Sequence, residues 1–185
     1  MNKIKTGTAW NFRPCVAAAC AILACPALAG EPLEMQIHWL DVRGARDIEN
    51  GRYQQGVERL EARLGAGHHA PWIRVPILID LCVGYAMLNR LDEAAEACDE
   101  AVESGWYRSI VLNNRGVLNI VRGRYEAAIH DFQAISHGVD RSQVALENME
   151  RAQERFAAFR GREPQDASPL AALTVDDVRT TPTGE

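Results

Sequence analysis

The chain has 185 residues, 47% of them hydrophobic, which suits one domain of ordinary size with a packed core and leaves room for a leader and a tail. Its 25 acidic residues outnumber the 20 basic ones, and the formal net charge is −5. An acidic surface repels phosphates, so the composition argues against nucleic acid as a partner.

The first 29 residues have the features of a secretory signal peptide. Lys3, Lys5 and Arg13 precede an apolar run, and a small-residue cleavage motif follows it. We predict cleavage before Gly30, which makes the mature protein periplasmic or secreted. Loss of these three basic residues reduces the basic count from 20 to 17 against 25 acidic residues, a net charge of −8.

Two alternatives for this leader stay open. A degenerate lipobox ends at Cys25, which would make the chain an outer-membrane lipoprotein acylated there, although Pro26 follows this cysteine. A membrane anchor is the other alternative, but residues 15–29 are interrupted by that proline and fall short of the roughly 20 apolar residues that a spanning helix needs. We therefore expect no integral membrane span.

Three stretches of the chain align with one another, namely residues 40–63, 78–101 and 112–135. In the second and third stretches, Leu91 and Tyr125 hold the same position and are 34 residues apart. The first stretch is offset by four further residues, an insertion that falls in a turn-rich segment between predicted helices.

Each stretch has a small residue, then a turn, then small and apolar residues at helical spacing. The positions that we assign to close packing of paired helices are Gly44, Ala94, Gly116 and Ala128. This pattern, at a 34-residue period, resembles the tetratricopeptide repeat (TPR). The chain is identified as a member of the TPR family, of the exported bacterial type.

The resemblance implies an all-α fold, a short right-handed superhelical array of antiparallel helix pairs with about three TPR units, in a domain spanning residues 30–161. A terminal repeat needs a polar cap, and we assign residues 140–160 to a C-terminal capping helix with Asp140 as its N-cap. Residues 162–185 are rich in proline and small polar residues, which predicts a disordered tail.

Cys82 and Cys98 are the two cysteines of the predicted mature chain. They fall on the two helices of the second repeat, at positions whose counterparts in the family point into the interior. An oxidising compartment favours a disulfide between them. The alternative is a pair of small buried thiols that fill core positions.

The resemblance also implies where a ligand would bind, because TPR proteins contact their ligands through the first helix of each repeat, which lines a concave groove. The corresponding positions here are His38, Asp41, Ile79, Val83, Asn113, Val117 and Ile120. Their largely apolar character favours an apolar helix or an extended peptide, steadied by the Asn113 amide.

The sequence has no arrangement typical of catalysis, and the adjacent His68 and His69 have no further metal ligand at a suitable spacing. We expect no enzyme activity, cofactor or metal. The leading hypothesis is a non-enzymatic interaction scaffold or adaptor in the cell envelope, with a protein or peptide partner. The alternatives are a structural subunit with weak self-association, or an outer-membrane lipoprotein that assists pilus or envelope assembly.

Overall fold

The computed structural model describes residues 31–38, 42–67, 69–136, 142–161 and 178–182. Within these ranges there are two strands and seven helices. In chain order they are β1 (Leu33–Ile37), α1 (Val42–Glu49), α2 (Tyr53–Gly65), α3 (Pro71–Met87), α4 (Leu91–Glu103), α5 (Arg108–Val121), α6 (Tyr125–Ser136), α7 (Gln143–Arg160) and β2 (Val178–Pro182). The predicted leader, residues 1–29, lies outside the described residues.

The helices pack as consecutive hairpins. The pairs α1 with α2, α3 with α4 and α5 with α6 are in close contact, and each hairpin also contacts the next one. The first helices of the hairpins and α7 contact one another in sequence, α1 with α3, α3 with α5 and α5 with α7. We call these four helices the odd-helix row. The described part of the chain is therefore predominantly helical, and none of its helices is long and apolar enough to cross a membrane.

One turn recurs in all three hairpins. Gly51, Asn89 and Gly123 have φ angles of 75°, 58° and 72°, and each lies two residues before the second helix of its hairpin. A left-handed backbone costs glycine little, and asparagine tolerates it better than most residues. The repeated turn in the sequence is thus a repeated backbone conformation.

Small residues lie where the paired helices approach most closely. A Cβ atom added at Gly44 would lie 2.7 Å from Leu60 Cγ, and one added at Gly116 would lie 2.6 Å from Phe132 Cε1. Glycine therefore lets a large side chain of the second helix fill the space against the first helix. Two further positions of the predicted packing set are fully buried, Ala94 and Ala128.

The middle hairpin closes differently at the equivalent pair of positions. Cys82 and Cys98 take the places that Gly116 and Phe132 hold in the third hairpin, and the structure joins their sulfurs in a disulfide with the Cα atoms 5.3 Å apart. A covalent bond here links the two helices where the neighbouring hairpins rely on a large side chain against a glycine.

Gly116→Val is expected to lower the free energy of unfolding by about 1–3 kcal/mol, because the added side chain overlaps the Phe132 ring in a packed interior. Urea denaturation followed by circular dichroism measures this change. Gly65→Val is the control, since no atom lies within 4 Å of a Cβ added at this exposed helix end. Equal stability of the two variants would contradict the close approach of α5 and α6.

Two short strands accompany the helices. β1 and β2 pair in parallel, with Leu33 opposite Val178 and Ile37 opposite Pro182. β2 lies within residues 162–185, for which we predicted disorder; residues 162–177 and 183–185 are outside the described ranges. The composition of the tail did not indicate a strand because β2 pairs with a segment at the other end of the domain.

The predicted capping helix also differs in its start and its role. It begins at Gln143, and the hydroxyl of Ser142 accepts a hydrogen bond from the Ala145 N–H at 3.4 Å, as an N-cap does. Asp140, the predicted N-cap, lies outside the described residues. α7 continues the odd-helix row and contacts β1, so it takes part in the interior as well as closing the end of the helical array.

Candidate functional site

β1 crosses the odd-helix row. It contacts α3, α5 and α7, while β2 contacts α1. Side chains alternate between the two faces of a strand, and the three that share the apolar face, Leu33, Met35 and Ile37, are at most 1% exposed. β1 is therefore built into the core of the domain, and the chain places an extended segment of its own against the helices that we predicted to form a groove.

Two asparagines each bind both the N–H and the C=O of one residue of β1. Asn148 of α7 accepts a hydrogen bond from the Glu34 N–H at 2.9 Å and donates one to the Glu34 carbonyl at 2.8 Å. Asn114 of α5 does the same with Gln36, at 2.7 Å in both bonds. A side-chain amide has one acceptor group and one donor group, which match the N–H and the C=O of a single residue.

A third helix adds one more contact to this series. Asp80 of α3 is fully buried, and its carboxylate accepts a hydrogen bond from the His38 N–H at 2.5 Å. We call the three side chains Asp80, Asn114 and Asn148 the polar rungs. Together they hold the backbone of alternate residues in β1 and in His38, the residue that follows it. Each rung comes from a different one of three successive helices of the odd-helix row.

The spacing of the polar rungs follows the sequence repeat. Asp80, Asn114 and Asn148 are each 34 residues apart, and the strand residues that they bind are two residues apart. One helical repeat thus corresponds to one two-residue step of an extended chain, which is about 6.6 Å. Because the rungs bind main-chain groups, they recognise extended conformation rather than particular side chains.

Asn113, the amide that we predicted to steady a ligand, lies within this network. It is fully buried, donates to the Glu34 carbonyl at 2.9 Å and accepts from the Asn148 side chain at 2.9 Å. Asn113 therefore both contacts the extended segment and orients the neighbouring rung.

The other predicted groove residues are placed in three different ways. Ile79, Val83, Val117 and Ile120 are at most 1% exposed. His38 follows β1 and belongs to the bound segment, and Asp41 lies outside the described residues. The apolar surface that we expected to be exposed is therefore buried where the structure describes it.

An aromatic contact marks the end of β1. The His38 ring lies against the Tyr107 ring with centroids 4.4 Å apart. Burial lowers the pKa of His38. Tyr107 itself has a φ angle of 49°, an uncommon conformation for a bulky residue, and it immediately precedes α5. The backbone at this position is strained where it meets the strand.

Charged groups hold the start of β1 and join the strands. Arg151 of α7 forms an ion pair with Glu31 at 2.7 Å, and this hydrogen bond lowers the pKa of the Glu31 carboxyl group. Glu34, which is only 6% exposed, forms an ion pair with Arg179 of β2. The Glu34 side chain thus links β2 to β1, while its backbone links β1 to the helices.

Comparison of the chain with models of known protein families, with curated proteins and with solved structures finds no match. The function must be inferred from the geometry of the polar rungs and of the strands that they hold.

Sequence analysis identified Asn113 but missed Asp80, Asn114 and Asn148. A signal was present, since an Asp or Asn recurs at a 34-residue interval in helices that are otherwise largely apolar on this side. We overlooked it because residues 140–160 were interpreted as a cap, which left Asn148 out of the repeat alignment.

A depression with a cavity volume of 390 Å³ lies among α4, α5 and α6. Arg115 donates to both carboxylate oxygens of the buried Asp131, at 3.0 and 2.6 Å, and to Asp99 at 3.2 Å. The hydrogen bond with Asp131 raises the pKa of Arg115. These paired charges join three helices, which indicates a packing role.

Of the two histidines in the α2–α3 connection, the structure describes His69. His69 Nε2 lies 2.8 Å from the carbonyl oxygen of Arg63, and His68 lies outside the described residues. Within the described ranges no group of three or more His, Cys, Asp and Glu side chains is arranged to hold an ion.

Proposed function

We propose that this protein is a non-enzymatic interaction scaffold that binds an extended segment of another protein. The binding site is the surface of the odd-helix row against which β1 and β2 lie, which we call the channel. The observation that supports this is the series of polar rungs, which bind main-chain groups at alternate residues with one rung per helical repeat. A site that binds the backbone accepts an extended chain of varied sequence, and the apolar face beside it selects for alternating apolar residues.

The architecture that best suits this role is a right-handed superhelical TPR array, in which the odd-helix row forms the concave side. The identical 34-residue spacing of the rungs and the recurring positive-φ turns support this assignment. α7 would then be the first helix of a further repeat, since Asn148 follows Asn114 at the repeat distance.

We further propose that the scaffold works in the cell envelope, as a periplasmic or secreted protein. The leader-like pattern of residues 1–29 and the bridged Cys82 and Cys98 support export, because disulfides persist in oxidising compartments.

Selection of peptides from a random library displayed on phage, with the full mature chain as the bait, tests the proposed function. We expect selected peptides to bind the wild-type chain, and Asn114→Leu to weaken every one of them by at least about tenfold, because two hydrogen bonds that organise the channel are lost. Fluorescence anisotropy measures the affinities.

Asn119→Leu is the matched control on the same helix. Asn119 donates to Asp131 at 3.1 Å, away from the strands, and its replacement should leave peptide affinity within about twofold of wild type. If no peptide is selected, or if both variants bind the peptides equally well, the channel is not a peptide site.

A further inference from the structure

The two hydrogen-bonding edges of β1 are held by different parts of the protein. The N–H and C=O groups of Glu34 and Gln36 point to the polar rungs on the helices. Along an extended strand these groups alternate in direction, so those of Leu33, Met35 and Ile37 point to the opposite edge, where β2 pairs. One edge is bound by helices, and the other by a segment near the end of the chain.

The two strands are anchored very unequally. β1 buries its three apolar side chains against three helices and is tied to α7 through Arg151. Among residues 178–181, the part of β2 whose burial is described, only Val178 is a buried hydrophobic residue and Arg179 is exposed. The principal helix contact of β2 among the described elements is with α1. β2 is therefore held chiefly by the edge of β1 and by the ion pair with Glu34.

The fit of β2 to this edge is also incomplete. Gln36 and Thr181 are opposite each other in the register of the strands, and both side chains have a buried oxygen that finds no hydrogen-bond partner among the described residues. Buried polar atoms of this kind disfavour the pairing. A strand with an amide donor at the position of Thr181 would satisfy Gln36 Oε1.

We propose that β2 is a replaceable occupant, and that the partner binds by placing a parallel strand of its own on the edge of β1 that β2 covers. This inference rests on the proposed function and specifies it, because β1 becomes part of the receptor rather than the ligand. In the register of β2, the partner strand needs an apolar residue at the position of Val178. It needs Lys or Arg at the position of Arg179, opposite the buried Glu34, and Asn or Gln is favoured at the position of Thr181.

β2 is an internal competitor because it belongs to the same chain as β1. Its pairing with β1 is intramolecular, so β2 competes with a partner strand at every concentration of the protein. A partner strand must therefore bind the edge better than β2 or be present at a high local concentration. The pairing of β2 thus sets the affinity or concentration that a partner has to exceed.

The test uses the full mature chain carrying Val178→Asp and Arg179→Glu, which places carboxylates against the apolar face and beside Glu34 and leaves β1 unchanged. The probe is a fluorescent peptide with the sequence of residues 175–185. We expect it to bind this variant at least about tenfold more tightly than wild type, because the competitor is released. The same peptide carrying Thr181→Asn should bind more tightly still, and one carrying Arg179→Glu at least about tenfold more weakly.

Equal affinity of the probe for the variant and for wild type would overturn the proposal, and so would equal binding of the two peptides that differ at Arg179. In light scattering, an apparent mass that rises to that of a dimer as the wild-type concentration increases, together with loss of probe binding, would assign the edge to a second copy of the chain. This outcome would also overturn the proposal. Library peptides that bind while the probe does not would refute this inference and leave the proposed function standing.

Hydrogen exchange on the wild-type chain tests the same proposal without a variant. Amides of residues 178–181 are expected to exchange at least about 100-fold faster than those of Glu34 and Gln36, which bind Asn148 and Asn114 on the helices, because β2 detaches without unfolding of the helices. Equal protection of these two sets of amides would mean that β2 leaves only on global unfolding, and the proposal would fail.

Discussion

Asn148→Leu is expected to lower the free energy of unfolding by about 3–5 kcal/mol. The substitution keeps the branched arrangement of side-chain heavy atoms but removes hydrogen bonds to the N–H and C=O of Glu34 and to the side chain of Asn113, all in a buried setting. Each buried polar group that loses its partner costs about 1–3 kcal/mol. Guanidinium denaturation monitored by circular dichroism measures the loss.

Asn50→Leu is the control for this prediction. Asn50 is exposed and donates only to the carbonyl of Arg46 four residues earlier, so its replacement should change stability by less than about 0.5 kcal/mol. An effect of Asn148→Leu no larger than this would mean that α7 does not hold β1, and the account of the polar rungs would have to be abandoned.

Replacing both Cys82 and Cys98 by alanine is expected to destabilise the domain by about 3 kcal/mol. The bridge closes a loop across a sequence separation of 16 residues, and in the chain-entropy model a loop of this size contributes about that amount. Thermal denaturation with and without reductant measures the effect. Reductant should lower the melting temperature of the wild-type chain and leave that of the double variant unchanged.

Mass spectrometry after thiol alkylation checks the chemical basis of that prediction. In protein purified from an envelope fraction without reductant, Cys82 and Cys98 should resist alkylation, and both should react after reduction. Alkylation of both residues in the unreduced protein would show that they are free thiols. The same spectrum reports the first residue of the mature chain and any acyl group on Cys25.

The three hairpins fill the space between their paired helices in two ways. In the first and third, a glycine on the first helix receives Leu60 or Phe132 from the second helix. In the second, a disulfide joins the same two positions. Asp80 lies two residues before Cys82 on α3, so the disulfide joins the helix that presents one of the three rungs to α4.

The polar rungs explain how a repeat of helices holds the extended strand β1. Helices of one row recur at a fixed distance, and so do alternate residues of a strand. When each helix presents an amide or carboxylate at the same position, the two periods coincide at one helix for every two residues. These bonds do not involve the side chains of β1, so in the proposed function selectivity comes from the apolar face and from Glu34.

The sequence by itself determined the helical hairpins, their turns and the small residues between them. These features follow from short-range patterns, in which helical spacing of apolar residues, a positive-φ turn and a 34-residue repeat each appear within a few dozen residues. The pairing of Cys82 with Cys98 stayed an alternative at that stage, because two buried thiols fit the same positions.

Only the tertiary structure decided that the channel is occupied and by what. β1 has five residues, and β2 lies in a segment whose composition predicts disorder, so neither shows a local signal for a strand. Their conformation depends on each other and on Asp80, Asn114 and Asn148, which come from three separate helices. Strand pairing between the two ends of a chain is a long-range contact, and its stabilisation appears only after the helices have assembled the surface that holds it.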